Sequence, residues 1–219
     1  MQVESTSKPL LTVGEAKENT ISALEETDAA VDLRIKNSVC LIIDLEGFFV
    51  RKIFQVRELG YYSWNEHFGR HAFFQPAALK GLSHKDKKTV NFAKHNIHGL
   101  TYQPRYQERA YEHDEVDIVL LRLYSQFKTE KRTVVAYKGG HVEKDLLDKL
   151  NIPCLDLETW GCPKYEQLKQ TIVEPLASCG FHLNDNIHHC PMTECQAFWL
   201  WFQTYVKFPR NGIFGEKRY

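Results

Sequence analysis

The sequence has no excess of charge of either sign and no long apolar run. Its 219 residues include 28 Lys and Arg against 28 Asp and Glu, so the formal net charge is zero. A chain without a general basic field can bind nucleic acid only through a local patch or through metal-bridged phosphates. No apolar stretch is long enough to span a bilayer, and the N-terminus shows no charged-then-apolar leader. We therefore expect a protein that has no membrane partner, is not secreted, and is cytoplasmic or nuclear.

Disulfides are also not expected, because the six cysteines come without an export signal. In a reducing compartment the thiols are better interpreted as core residues or metal ligands. The length leaves room for one sizeable core. Residues 1–36 are rich in Ser, Thr, Glu and Lys and poor in large apolar residues. We predict a mobile N-terminal segment over 1–36, one domain over 37–208 and a C-terminal tail over 209–219.

The most informative stretch is the apolar run 39–43, which is followed by the carboxylates Asp44 and Glu46. Such a run predicts a strand buried on both faces at the centre of an α/β sheet. Because side chains alternate along a strand, Asp44 and Glu46 share one face while Leu45 points to the core. Two carboxylates at a buried strand end repel each other unless a cation lies between them, and hard oxygen ligands suit Mg²⁺ or Mn²⁺. The alternative is a solvated strand end before a glycine turn.

The hydrophobic pattern predicts three strands, then helices that alternate with strands, and a closing helix. The first three strands form an antiparallel meander over 39–48, 52–62 and 67–74. The remaining elements are helices from Ser83 to 98, over 113–127, from Val142, over 165–176 and over 191–206, with short strands at 133–137 and 152–157. This order predicts a mixed sheet with helices on both faces, where chemistry gathers at strand ends beside the central strand.

Two further motifs offer polar groups to the same strand end. His189 stands just before a proline that suits the first position of a helix, and Glu194 lies about one turn into that helix. There the imidazole can accept a proton from water and the carboxylate can add a metal ligand. After a Gly-Gly turn, either Glu143 or Asp145 can supply a third carboxylate, and Glu143 fits the helical register better. The alternative for Glu143 is a charge that complements the helix dipole.

A second constellation mixes sulfur, nitrogen and oxygen donors. Its spacing suits four zinc ligands, which are Glu158, Cys179, His182 and Cys190. Soft sulfur donors favour Zn²⁺ over Mg²⁺. Cys162 or His188 can replace one of these ligands. The alternative is that the two thiols are buried small residues and the histidine belongs to a loop.

The ordered motifs resemble the DEDDh family of 3′–5′ exonucleases, which have the RNase H-like (DnaQ-like) fold. The similarity covers roughly residues 38–206. The matching pieces are Asp44-x-Glu46, Ile97-His98-Gly99-Leu100-Thr101, Gly139 to Leu147 and His189-x4-Glu194. The resemblance implies a metal-dependent exonuclease that acts on the ends of single-stranded RNA or DNA.

By this resemblance, Asp44, Glu46 and Glu194 would hold Mg²⁺ or Mn²⁺, Glu143 would be a further catalytic carboxylate, and His189 would be the general base. The chain departs from the family because Glu143 and Glu194 stand where the family has Asp. One extra carbon–carbon bond moves a carboxylate by about 1.5 Å. A misplacement of about 1 Å can cost on the order of a hundredfold in rate. The sequence therefore leaves activity open.

The sulfur-containing set is similar to the Glu-Cys-His-Cys site of the Maelstrom domain, a branch of the same fold associated with piRNA silencing. In that branch the zinc is structural and the exonuclease carboxylates are often lost. This second resemblance implies a different function. The chain would be a catalytically weak or inactive, zinc-stabilised module that binds RNA or a protein partner in small-RNA silencing.

Overall fold

The computed structural model describes residues 33–77, 81–176, 179–182 and 189–204. The strands are β1 (Val39–Val50), β2 (Ile53–Ser63), β3 (Arg70–Gln75), β4 (Tyr111–Glu112), β5 (Val134–Tyr137) and β6 (Cys154–Asp156). The helices are α1 (His84–Asn96), α2 (Val116–Phe127), α3 (Val142–Lys149), α4 (Tyr165–Thr171) and α5 (Pro191–Thr204). Residues 33–38 are also helical, so the described fold begins before the predicted boundary at residue 37. The rest of the predicted N-terminal segment and the C-terminal tail lie outside the described residues.

The six strands form one mixed sheet in the order β4-β3-β2-β1-β5-β6. β1, β2 and β3 are antiparallel neighbours, which confirms the predicted meander. β5 runs parallel to β1 on its other edge, and β6 runs parallel to β5. The α/β prediction with a central β1 is therefore confirmed, and the order and directions agree with the RNase H-like fold.

Helices cover both faces of this sheet because alternate residues of β1 face opposite sides. Leu41, Ile43 and Leu45 pack in one core cluster with α2 and α3. Ile42 packs in a second cluster with α4 and α5. Asp44 and Glu46 continue the alternation of Ile42, so they lie on the α5 side. The predicted apolar stripe of α2 is buried at all its positions, Val116, Val119, Leu120, Leu123 and Phe127.

The closing helix α5 lies close against the sheet. Its aromatic residues Phe198, Trp199, Trp201 and Phe202 are all buried, as expected for core residues. A Cβ atom at Gly60 of β2 would overlap the backbone of Pro191, so the N-terminus of α5 can approach β2 only because that position lacks a side chain. This close contact brings the start of α5, and with it Glu194, to the polar end of β1.

Two helix ends have clear local causes. Ser83 caps α1 as predicted, because its hydroxyl accepts the Asp86 N–H while the Asp86 carboxylate accepts the Ser83 N–H. α4 ends at Thr171 and not at the predicted residue 176. Pro175 disfavours a helical conformation at the preceding residue and lacks an N–H donor. None of the described helices is long and apolar enough to cross a bilayer.

Candidate metal-binding sites

Four carboxylates from three elements converge on the α5 side of the sheet. This acidic cluster consists of Asp44 and Glu46 of β1, Glu143 of α3 and Glu194 of α5. Burial, followed by the charges of Glu194, Glu143 and Glu46, raises the pKa of Asp44 well above its usual value. Burial and then the Glu194 charge raise the pKa of Glu46 to about 8. The structure thus brings together all four carboxylates that the sequence predicts for one cleft.

Glu143 reaches the cluster where β1 runs beyond the end of β5. The β1–β5 pairing extends only to Ile42, so within the described residues the β1 edge past that point has no strand partner on this side. The Leu45 N–H on that edge donates to Glu143 Oε1 at 3.1 Å. Glu143 is buried, whereas Asp145 is exposed. The structure therefore favours Glu143 over Asp145 as the carboxylate that faces the cleft.

His189 is bonded to the fourth member of the cluster. Its Nδ1 lies 2.9 Å from Glu194 Oε1, and the imidazole is about half exposed while the Glu194 side chain is buried. The hydrogen bond to Glu194 is the main reason that the pKa of His189 is raised. Burial raises the pKa of Glu194, although His189 opposes this. The spacing of five residues therefore gives the contact that the sequence predicts.

The chemistry of the cluster fits a hard divalent cation. Burial is the leading cause of the raised pKa of all four carboxylates. Repulsion from other members of the cluster adds to it for Asp44, Glu46 and Glu143. A cation among them would oppose both effects, and carboxylate oxygens are ligands that Mg²⁺ and Mn²⁺ prefer.

A second group lies beside the cluster and corrects one prediction. The ligand atoms of Glu58, Cys179, His182 and Cys190 all lie within 4.8 Å of one another, and we call these residues the sulfur group. The predicted fourth ligand, Glu158, is not a member. It is exposed and its Oε2 lies 3.9 Å from Lys138 Nζ. Glu158 follows the edge strand β6, whereas β2, which carries Glu58, is separated from β6 by β1 and β5.

Of the two alternative ligands, the one that the structure describes is also not part of the sulfur group. Cys162 is buried in the core cluster of α4 and α5, and burial raises the pKa of its thiol to about 12. His188 lies outside the described residues. His189 and Cys190 diverge as expected, since His189 contacts the acidic cluster and Cys190 belongs to the sulfur group.

Unsatisfied polar atoms indicate that the sulfur group fits a metal ion. Glu58 Oε2 and His182 Nε2 are buried and make no hydrogen bond of acceptable geometry, although they lie 3.3 Å apart. Buried polar atoms without partners are rare, and an ion bound by both would satisfy them. A hydrogen bond from Cys179 lowers the pKa of Cys190 to about 4, which gives a thiolate at neutral pH. Two sulfurs, one imidazole and one carboxylate match a tetrahedral zinc site.

His98 connects the sulfur group to β1. The His182 Nδ1–H donates to the His98 carbonyl, which orients the His182 ring. The His98 ring is buried and donates from Nε2 to the Gly47 carbonyl at 3.0 Å, while its Nδ1 accepts the Leu100 N–H at 3.1 Å. Burial lowers the pKa of His98 to about 4, so the ring is neutral. The His-Gly-Leu-Thr motif therefore has a structural role next to Glu46.

Glu58 and its neighbour Arg57 are both buried on β2, and neither is predicted as a site residue from the sequence. Arg57 forms a buried ion pair with Glu108 and donates to the Thr101 carbonyl at 2.9 Å. Burial opposes the charge of Glu58, but the adjacent imidazoles of His182 and His71 outweigh it and lower the pKa of Glu58. The available signal was a pair of adjacent charged residues inside an otherwise apolar strand.

No family model matches the sequence, and no curated protein matches it. Solved structures of the Mopeia virus exonuclease domain are similar to this chain. The form partially complexed with manganese has 16% identity and a TM-score of 0.46, with 83% of this chain and 87% of that chain covered. The manganese-depleted form has 16% identity and a TM-score of 0.47, with the same shares of both chains covered. The alendronate-soaked form has 15% identity and a TM-score of 0.45, with 83% of this chain and 88% of that chain covered. At these values the likeness does not assign a function to this chain.

Proposed function

We propose that the chain is a metal-dependent 3′–5′ exonuclease that acts on the ends of single-stranded RNA or DNA. The observation that carries this proposal is the acidic cluster with an imidazole bonded to one of its members. Asp44, Glu46 and Glu194 would hold Mg²⁺ or Mn²⁺, and Glu143 stands beside them. Bound divalent ions would polarise the scissile phosphate and neutralise the charge that develops on it.

We propose that His189 acts as the general base. Because its Nδ1–H donates to Glu194, the neutral tautomer leaves Nε2 as the proton acceptor. The His189 side chain is about half exposed, which is compatible with a water molecule as its proton donor. The Glu194 carboxylate raises the pKa of His189 and so stabilises the imidazolium that forms when the proton is accepted.

The contacts of the two longer carboxylates support activity despite the departures from Asp. Glu143 uses its length to reach the Leu45 N–H on the unpaired edge of β1. Glu194 uses its length to reach His189 Nδ1. Each extra methylene therefore belongs to a defined contact, and the charges of both carboxylates still act on Asp44.

A nuclease assay tests this proposal. Zinc-loaded protein should release mononucleotides from the 3′ end of 5′-labelled single-stranded RNA or DNA when Mg²⁺ or Mn²⁺ is added. Asp44→Asn should abolish the release, and Asp145→Asn, which changes an exposed carboxylate on α3, should leave it unchanged. Failure of the zinc-loaded wild type to degrade either nucleic acid with either metal would overturn the proposal.

The sulfur group supports a second candidate, a zinc-stabilised Maelstrom-like module that binds RNA or a protein without hydrolysis. Its specific support is the pair of unsatisfied atoms on Glu58 and His182. In both candidates we propose that the sulfur group holds a structural Zn²⁺. The candidates differ in one result, since the binding module would leave single strands intact in Mg²⁺ and Mn²⁺.

A further inference from the structure

We propose that helix α1 and the β1–β2 turn bind the phosphate backbone of a single nucleic-acid strand whose 3′ end lies in the acidic cluster. This inference deepens the proposed exonuclease function and rests on it. We call the exposed basic residues of these two elements the basic surface. Its members are Arg51, Lys52, Lys85, Lys87 and Lys88.

The basic surface concentrates charge that the whole chain lacks. The chain has a formal net charge of zero, whereas residues 51–52 and 84–96 together carry +5 with neutral histidines. Asp86 is the one acidic residue in these two ranges, and its two oxygens accept hydrogen bonds from the Arg51 N–H at 2.9 Å and from Ser83. The five members of the basic surface are all exposed. A local patch of this kind is what a neutral chain needs for phosphate binding.

The turn that carries Arg51 and Lys52 is held in an uncommon conformation. Their φ angles are 52° and 67°, in the left-handed region where glycine or asparagine is usual for such a hairpin turn. The turn is docked on the start of α1 by the Arg51–Asp86 hydrogen bond and by Arg51 Nη2–H, which donates to the Gly81 carbonyl at 3.0 Å. The backbone conformation of this turn is unfavourable for two residues with long side chains, and both are basic. This combination indicates a functional constraint at the turn.

The basic surface lies farther along β1 than the acidic cluster, toward the β1–β2 turn. Phe48 and Val50 follow Asp44 and Glu46 at alternate positions, so they belong to the same face of the strand. Both pack against α1 through Val90 and Ala93. The five residue-to-residue steps from Glu46 to Arg51 span about 16 Å, which is about five stacked nucleotides at 3.4 Å each. A strand that ends in the cluster therefore reaches α1 within a few nucleotides.

Exposed aromatic rings beside the lysines favour a single strand over a duplex. A groove of about 650 Å³ between the turn and α1 includes Phe49, which is 52% exposed. Along α1, Lys85 and Lys88 share a helical stripe with Phe92, which is 60% exposed. Alternating basic and aromatic side chains bind unpaired strands because rings stack on bases while lysines contact phosphates. A duplex presents no free base faces for such stacking.

Binding measurements on a charge-neutralised variant test the inference. The test protein is Lys52→Gln/Lys85→Gln/Lys88→Gln. The matched control, Lys128→Gln/Lys131→Gln/Lys169→Gln, removes the same charge from exposed positions elsewhere. Both are made on the Asp44→Asn chain, so that no strand is degraded. Fluorescence anisotropy with labelled single-stranded RNA of about twelve nucleotides should show about 10- to 100-fold weaker binding for the test protein and a salt slope smaller by about 2 to 3. The control should stay within about threefold of the parent.

The outcomes separate this inference from the proposed function. Equal affinities of the test and control proteins for the single strand would contradict the proposed role of the basic surface. Tighter binding of a duplex, or of a polyglutamate peptide of equal charge, than of the single strand would also contradict it. In the active chain, the test substitutions should raise the KM for the long strand and leave kcat and the cleavage of a dinucleotide unchanged. If strands bind as expected but no metal supports hydrolysis, the exonuclease proposal is wrong and the proposed role of the basic surface is retained. If hydrolysis occurs and the test and control proteins bind strands equally well, only the proposed role of the basic surface is wrong.

Discussion

Glu46 of β1 and Glu58 of β2 are directly opposite each other in the antiparallel register. Residues in this relationship share a face, with Cβ atoms about 5 Å apart, and like charges there are destabilising. Glu46 belongs to the acidic cluster and Glu58 to the sulfur group, and the charge of Glu58 raises the pKa of Glu46. Each of the two candidate metal sites therefore contributes one carboxylate to this cross-strand pair, and each carboxylate needs a nearby cation to offset the repulsion.

Zinc binding should depend on Glu58 and not on Glu158. We expect freshly purified protein to contain about one zinc per chain. Glu58→Gln should reduce this content to less than half and lower the melting temperature by about 6–12 °C, because loss of a buried charged partner costs about 3 kcal/mol. Metal analysis and thermal unfolding measure both effects.

Glu158→Gln is the matched control for that substitution, since it makes the same chemical change at an exposed position. Its zinc content and melting temperature should equal those of the wild type. A loss of zinc in Glu158→Gln with retention in Glu58→Gln would contradict the assignment of the sulfur group.

Stability without Mg²⁺ or Mn²⁺ should fall as the pH rises. The pKa of Glu46 is raised to about 8 from an ordinary value of 4.5, so the folded chain retains a proton that the unfolded chain has released. Between these values the stability decreases with pH by up to about 1.4 kcal/mol per unit for each such proton. Thermal unfolding of zinc-loaded protein from about pH 5 to about pH 8 measures the slope.

Two comparisons isolate the contribution of the acidic cluster to that slope. Glu46→Gln should make the slope less steep, because the neutral side chain has no proton to release while the other three carboxylates of the cluster remain. Added Mn²⁺ should raise the melting temperature more at the higher pH, where binding no longer has to displace a proton. An identical slope in Glu46→Gln would show that another group causes the pH dependence.

His98 should stabilise the fold strongly although it is not a ligand of either site. His98→Ala leaves the Gly47 carbonyl and the Leu100 N–H without partners in a buried place and opens a cavity. We expect a loss of about 2–4 kcal/mol in the free energy of unfolding. Urea denaturation measures this loss, and His67→Ala at an exposed position should change the free energy by less than about 0.5 kcal/mol. Equal effects of the two substitutions would contradict the connecting role of His98.

Much of the fold was predictable because its patterns are local. The apolar run of β1 and the buried stripe of α2 each follow from the spacing of a few residues. The pair Asp44 and Glu46 was found for the same reason, because strand alternation alone places both on one face. His189 and Glu194 were found because a helix start fixes their separation.

The fourth member of the sulfur group was not predictable in this way. Glu58 and Glu158 are equally plausible partners for Cys179 and His182 in the sequence, and only the register between β1 and β2 together with the strand order separates them. That register is a long-range property that no local pattern specifies. The close approach of α5 to Gly60, which sets the position of Glu194, has the same non-local origin.

The central claim is that the acidic cluster binds divalent metal, and a crystal of the zinc-loaded protein soaked in Mn²⁺ tests it most directly. Anomalous difference density collected at a wavelength where manganese scatters strongly should show a peak within ligand distance of Asp44, Glu46 and Glu194. The peak should be absent in Asp44→Asn. A wild-type map with no manganese peak among these carboxylates would contradict the account.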